Sequence, residues 1–266
     1  MQEAEITRDE HIDFLESTVR LKLWFLRRYL LEHPDVPFRK VLDERVDIWR
    51  KTSLNPAHLD GPWEPGTCPV WPGLVADMER IFRDTAGDST SADFEARGLA
   101  LLRPYLLARV DRDLDDIRNK VDLRHYQCGS LRYDNAVMPA HPQRIIFHIA
   151  NDCYPRSPFG DPRHVPDCFL KLMDVSERRF GVTELGTSTW LNSVPRWLQL
   201  FPAEWAEHMT PPVADMCWHY GFWGQFITAR KTFNHKAGAQ FRQTGVMPYK
   251  LPRRLQNDTL LRKVQR

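Results

Sequence analysis

The residues best suited to chemistry lie between Arg144 and Ser193, and His148 stands out among them. It interrupts an otherwise apolar run, Arg144-Ile-Ile-Phe-His148-Ile-Ala. An imidazole in such a run needs a hydrogen-bond partner or a ligand, because burial strips away its solvation. Two chemistries suit it. His148 could transfer a proton, or it could hold a divalent ion such as iron, zinc or manganese with Asp152 and His219, in a two-histidine, one-carboxylate set. Glu184 or Asp161 could supply that carboxylate equally well. A satisfied core histidine is the plain alternative. No His-Glu-x-x-His or His-x-Asp spacing surrounds His148, so a metal set would have to be assembled across strands.

Nucleophilic catalysis is the competing chemistry, with Ser188 as its first candidate and Ser157, Ser193 and Cys153 behind it. None of them sits in a Gly-x-Ser-x-Gly elbow. Gly186-Thr-Ser-Thr could bind a phosphate or carboxylate through its amides. Neither a Gly-x-Gly-x-x-Gly fingerprint nor a P-loop is present, so a nucleotide cofactor is not expected. Substrate contacts are expected from Trp190, Asn192, Trp223 and Arg242. Five of the nine tryptophans fall between 190 and 223, and an aromatic wall with a few polar groups is the usual form of a small-molecule site. Arg242 could clamp an acidic group in two-pronged fashion. The simpler readings are core packing for the tryptophans, an exposed helix face for Arg242, and capping of the helix near Pro195 by Asn192 or Ser193.

These residues need elements to hold them. Thr7-Arg-Asp-Glu10 fits a capping box, and Ile12, Leu15, Val19, Leu23, Leu26 and Leu30 then step by three or four, so a long helix is expected until His33-Pro34. Further helices are expected from Pro37 to Arg50, around Leu74 to Phe82, and from Asp93 to Val121 with an interruption at Pro104. The mixed charges from Arg109 to Arg118 read as a solvated face. Residues 53–73 hold five prolines, three glycines, Trp63 and Trp71, a packed loop that could brace the core or line a cavity.

Beyond residue 121 short extended runs appear, at Leu131-Arg-Tyr-Asp and at Arg144 to Ala150. A helix from Asp167 to Phe180 follows, stopped by Gly181, and then a strand from Val182 to Ser188. Helix from Pro195 to Met209, an extended run from Val213 to Tyr220 and a last helix from Asn234 to Gly245 complete the pattern. The fold expected is α/β or α+β, a helical N-terminal half followed by a small, mostly parallel or mixed sheet flanked by helices. Residues 1–120 would form a helical subdomain, 121–249 the α/β core with the site, and 250–266 a basic tail. Ile145 to Ala150 lacks in/out alternation, the mark of a sheet covered on both faces. If the strands around 148 and 185 are parallel and joined by the 167–180 helix, the loops after them open on one sheet edge, where such folds place ligands.

Composition bounds the rest. The five cysteines are scattered and odd in number, with no Cys-x-x-Cys pair, which suits reduced thiols rather than a disulfide framework. The N-terminus lacks the features of a secretion signal, and no apolar run approaches membrane-spanning length. A cytoplasmic protein without a membrane partner is therefore expected. Net charge is +2, but residues 1–249 carry 31 basic and 34 acidic side chains while 250–266 carry six basic and one acidic. A nucleic-acid binder usually shows its basic face on the folded body, so nucleic acid is not the expected partner. The expectation is an enzyme acting on a small aromatic or carboxylate-bearing molecule, through His148 as general base or through a metal ion. The alternative is a non-catalytic interaction protein whose basic tail docks an acidic partner or nucleic acid.

Overall fold

The computed structural model describes residues 5–56, 68–134, 136–137, 142–201, 205, 216–218 and 220–249. The fold is a helical N-terminal half followed by a three-stranded mixed sheet flanked by helices. By its internal contacts the chain divides into two compact units, one of residues 5–119 with 216–246, the other built on residues 120–215.

The first unit is organised on α1 (Arg8–Glu32). Its start is the expected capping box: Thr7 Oγ1 accepts from the Glu10 amide at 3.2 Å, and Glu10 Oε2 accepts from the Thr7 amide at 2.8 Å. Against it pack α4 (Ala92–Leu107), α5 (Val110–Arg118) and the C-terminal helix α9 (His235–Thr244). α4 comes close because Gly98 faces Leu23, where a Cβ would approach a methyl group to 3.0 Å. With Val19, Leu21, Leu23 and Leu26 all buried, α1 is covered over much more than one stripe.

Between α1 and α4 lie α2 (Phe38–Val41) and α3 (Trp71–Thr85). The helix expected from Pro37 to Arg50 is instead four residues of α2, a π-helical turn over Leu42–Val46, and Asp47 in the left-handed region at φ 44°. The Asp47 carbonyl, turned out of the helical path, accepts from the Lys22 amine at 3.1 Å. Burial pushes that amine down to about 7, and Lys51 down to about 8. Trp71 is fully buried and meets Trp49 edge-on at 5.1 Å, so it braces the core; Trp63 lies outside the described residues. Pro104 sits inside α4, and the break follows at Ala108, one turn later.

The charged face of α5 is only partly solvated. Asp113 is largely buried and accepts from His11 Nε2 at 3.0 Å and from Arg109 Nε at 2.6 Å and Nη2 at 2.9 Å. Burial opposes its ionisation, but those hydrogen bonds and the Arg109 charge outweigh it and hold the carboxyl at about 2.

Residues 216–246 pack with this helical unit rather than continuing the α/β part. The Trp218 amide donates to Glu44 O at 2.9 Å, and α8 (Tyr220–Trp223) places the Trp223 indole N–H 2.9 Å from Arg45 O. Aromatic burial drives the choice: Trp223, Phe226 and Phe241 meet ring against ring, and Trp223 also meets Phe25 of α1. α9 has the Asn234 cap and the Gly245 left-handed stop that its sequence predicts.

In the second unit, β1 (Leu131–Tyr133) pairs antiparallel with β2 (Arg144–Ile149), which pairs parallel with β3 (Glu184–Gly186). The crossover is α6 (His164–Phe180), stopped by Gly181 at φ 65°. Leu131, Tyr133, Ile145 and Phe147 form one core with Val165, Phe169 and Leu172 of α6 and with Trp197 of the short α7 (Pro195–Leu198). The sheet is not buried on both faces: Ile145 and Phe147 are in the core while Ile146 and His148 are half-buried. The apolar Ile146 on the open side hides the alternation of β2. The basic tail and most of 202–215 lie outside the described residues, and no described helix is long and apolar enough to cross a membrane.

The Lys22 amine yields a prediction about stability. Its unfolded value is near 10.5 and its folded value about 7, so between these pH values the unfolded chain binds the extra proton and stability rises with pH. Lys51 acts in the same direction, and the neighbouring Asp47 carboxyl, raised by burial, titrates from the acid side. Urea midpoints should therefore climb from pH 7 to pH 9.5, and Lys22→Met should flatten the climb. A midpoint that falls over this window in the native protein would contradict the burial of both amines.

Candidate functional site

The strand period of two sets what β1 and β2 display on their open face. Leu131 and Tyr133 point into the core, so Arg132 points away from it, and the strand register sets Arg132 directly opposite His148. Residues paired in this way share one side of the sheet. The chain continues to Asp134, whose amide donates to Ile146 O at 3.0 Å and whose carboxylate Oδ1 lies 2.8 Å from His148 Nε2. The face therefore carries a guanidinium, an imidazole and a carboxylate, with the Arg132 guanidinium 5.5 Å from the Tyr126 ring centre.

His148 is not the buried histidine that its apolar neighbours suggest. Its side chain is 40 % exposed and that of Asp134 46 %. An ionised carboxylate only accepts, so the neutral imidazole keeps its proton on Nε2 toward Asp134. Nδ1 is then left as a lone pair with no partner among the described residues. An imidazole held in one tautomer by a carboxylate, with its other nitrogen open, is the geometry of a general base.

Asp152, the expected companion of His148, is engaged elsewhere: its carboxylate and its carbonyl each accept from the Lys120 amine at 3.0 Å. Of the two other carboxylates considered, Glu184 pairs with Arg144 at 3.0 Å and Asp161 accepts from the Arg163 amide at 2.9 Å. His219 lies outside the described residues. Among the described residues no group of three or more His, Cys, Asp or Glu is placed to hold a metal ion, so the metal version of the site has no support in this geometry.

The loops after β2 and β3 do start from one edge, as the parallel pairing requires. Ser188 there is exposed, and Trp190 stacks on Tyr249 with ring centres 5.0 Å apart. Asn192 does not cap α7, whose N-cap is Val194 without a side-chain bond. It is buried, and its Oδ1 accepts from the indoles of Trp197 at 2.9 Å and Trp205 at 3.3 Å. Trp223 and Arg242 belong to the helical unit. There Arg242 is committed to Glu95, with Nη1 at 2.9 Å from Oε1 and Nη2 at 2.7 Å from Oε2.

A second polar cluster lies where α6 meets the turn into β1. Ser130 Oγ is 2.8 Å from His164 Nε2 and accepts from the Asp152 amide at 3.3 Å, while Cys168 Sγ accepts from the Ser130 amide at 3.4 Å. A serine beside a histidine invites a nucleophile reading, but Ser130 is 1 % exposed. Burial also pushes the thiols of Cys128, Cys153 and Cys168 up, which leaves them poor nucleophiles. Gly129, at φ +67°, is fixed here by Cys168 Sγ, which would stand 2.8 Å from an added Cβ. This knot fastens helix to sheet.

Asp134 and Arg132 are the residues that reading the sequence for chemistry passed over. The signal for them was present in Leu131-Arg-Tyr-Asp, whose alternation puts Arg132 and Asp134 on one face. Compared with protein-family models, with curated proteins and with solved structures, the chain matches none.

The Asn192 clamp gives a direct test of this assignment. Asn192→Leu keeps the volume but leaves two buried indole N–H donors without an acceptor, at a cost of roughly 1–3 kcal/mol each. Urea denaturation should show a loss of about 2–4 kcal/mol, and a smaller loss when Asn192→Leu is made in a Trp197→Phe background, where one of the two donors is already gone. Equal losses in both backgrounds would mean that the Trp197 bond contributes nothing.

Proposed function

We propose that this protein is an enzyme that moves a proton on a small, carboxylate-bearing organic molecule at the open face of β1 and β2. The observation that carries the reading is the 2.8 Å bond between His148 Nε2 and Asp134 Oδ1, with both side chains open to solvent. His148 Nδ1 takes the proton; Asp134 fixes the tautomer and stabilises the imidazolium that forms. Arg132, opposite His148 in the strand register, binds the substrate carboxylate and offsets negative charge that develops when the proton leaves. This keeps the general-base chemistry expected of His148, replaces Asp152 with Asp134 as its partner, and takes Arg132 rather than Arg242 as the anion clamp.

The test has two stages. Imidazole nitrogen chemical shifts of the native protein should show the neutral His148 ring carrying its proton on Nε2, and Asp134→Asn should redistribute the tautomers. A library of small carboxylates, screened by ligand-observed NMR, should then yield binders that shift the His148 ring resonances and lose affinity in Arg132→Met. For any binder that is turned over, His148→Ala should cost about 10²–10⁴ in kcat with an unchanged melting temperature. Binders that leave His148 unmoved, or turnover that survives His148→Ala, would overturn the reading.

A further inference from the structure

The helical unit carries a cleft that plays no part in the proton-transfer reading. A cleft of about 420 Å³ opens between α1 and the turn that enters α4, within the range of roughly 300–1,000 Å³ typical of small-molecule sites. Two consecutive guanidiniums of α1, Arg27 and Arg28, form one side, and the hydroxyl residues Ser89, Thr90 and Ser91 form the other.

Arg27 is the informative residue. It is only 6 % exposed, and its Nη2 is anchored on the carbonyls of Thr85, Ala86 and Asp88 at the end of α3. Nε, though buried, has no partner among the described residues, and none is found for Nη1. A buried guanidinium rarely leaves donors unused, because each lost bond costs desolvation. Here the fixed cation lines a cleft, and Nη1 is the nitrogen with donor capacity left for it, since Nε is itself closed off from solvent.

The surroundings favour an anion. Arg28 adds a second guanidinium, tied through Nε alone to Glu32 at 2.7 Å. α4 begins at the cleft, and its N-cap Ser91 makes no capping bond, because Ser91 Oγ donates to Glu95 Oε1 at 2.6 Å instead. The first-turn acids that would repel an anion are already occupied: Asp93 pairs with Arg97, and Glu95 is gripped by Arg242. The Ala92 amide donates to Thr90 Oγ1 at 3.4 Å, so the donors that converge on the cavity are the hydroxyls of Ser89 and Thr90 and the two guanidiniums, an arrangement that suits a tetrahedral oxyanion with several acceptor oxygens. We infer that the cleft between Arg27, Arg28 and the Ser89-Thr-Ser turn binds a phosphoryl group, either as inorganic phosphate or as the phosphate of a small phosphomonoester. Among the described residues Glu32 is the one carboxylate lining the cleft, and it competes with the ligand for Arg28.

Titration calorimetry of the full-length chain with inorganic phosphate, at constant ionic strength set by chloride, tests this directly. One saturable site is expected. Arg28→Gln and the double change Ser89→Ala, Thr90→Val should each weaken it by roughly tenfold, the scale of one lost charge-assisted bond. Glu32→Gln should tighten it by roughly threefold, a gain that a purely structural role for the arginines does not produce. Arg27 caps α3, so Arg27→Lys is read alongside its melting curve and counts only where the fold is intact. Tighter binding of a phosphomonoester such as glycerol phosphate than of phosphate would identify the esterified form as the ligand; the reverse order would identify the free ion. Absence of a saturable site, or binding that Arg28→Gln and Glu32→Gln leave unchanged, would overturn the assignment.

Discussion

The helical unit depends on the burial of α1. A 25-residue helix contacted by α2, α4, α5, α9 and the π-helical turn has too few solvent-facing positions for all of its charged residues. Three of them, His11, Lys22 and Arg27, are buried. Each cation or imidazole taken out of water must recover its lost hydration from a protein acceptor. The neighbouring elements take shapes that supply one. Asp113 turns the face of α5 inward to His11. The chain leaves its helical path at Asp47 and offers a carbonyl to Lys22. The end of α3 offers three carbonyls to Arg27. Local features that look irregular, a π-helical turn and a left-handed aspartate, are thus the places where the backbone meets a buried charge.

The α/β unit is governed by the opposite circumstance. Among the described residues of this unit, the three-stranded sheet with its one crossover helix has a core on one face only. The core face is closed by large aromatics, and the two indole donors among them are satisfied by a single amide oxygen of Asn192. The other face keeps polar side chains within reach of water, and a histidine and an aspartate on adjacent strands can pair there without the desolvation that a buried pair would suffer. The Ser130–His164–Cys168 knot at the end of α6 anchors the helix that makes the two faces different.

Much of this was legible in the chain. The capping box at Thr7, the Gly181 stop, the Asn234 cap and the Gly245 stop are local signals, decided by residues within a few positions of each other, and the structure has them where the sequence places them. The parallel pairing across α6, which the alternation of strand and helix allows without requiring, is present as well. What could not be read were contacts decided at a distance. Ile146 is apolar on an open face, so the run from Arg144 to Ala150 mimics a strand buried on both sides. The partner of His148 lies just past the end of β1, 14 residues earlier, rather than in the loop that follows His148. Residues 216–246 continue the alternating pattern in sequence, yet their aromatics pack on Trp24 and Phe25 of α1.

Exposure decides between the two histidine pairs of the α/β unit. Both make hydrogen bonds of 2.8 Å, His148 to Asp134 and His164 to Ser130, so bond length cannot distinguish a working pair from a structural one. Ser130 has almost no accessible surface, and opening a path to it would require parting α6 from the sheet and breaking the core that joins them. The pair of His148 and Asp134 needs no such movement, since each side chain is already about half in water. A reacting atom has to come within hydrogen-bond reach of the group that takes its proton. On that criterion the pair with the poorer burial is the better candidate for chemistry, and the well-packed pair is the one that keeps the scaffold in place.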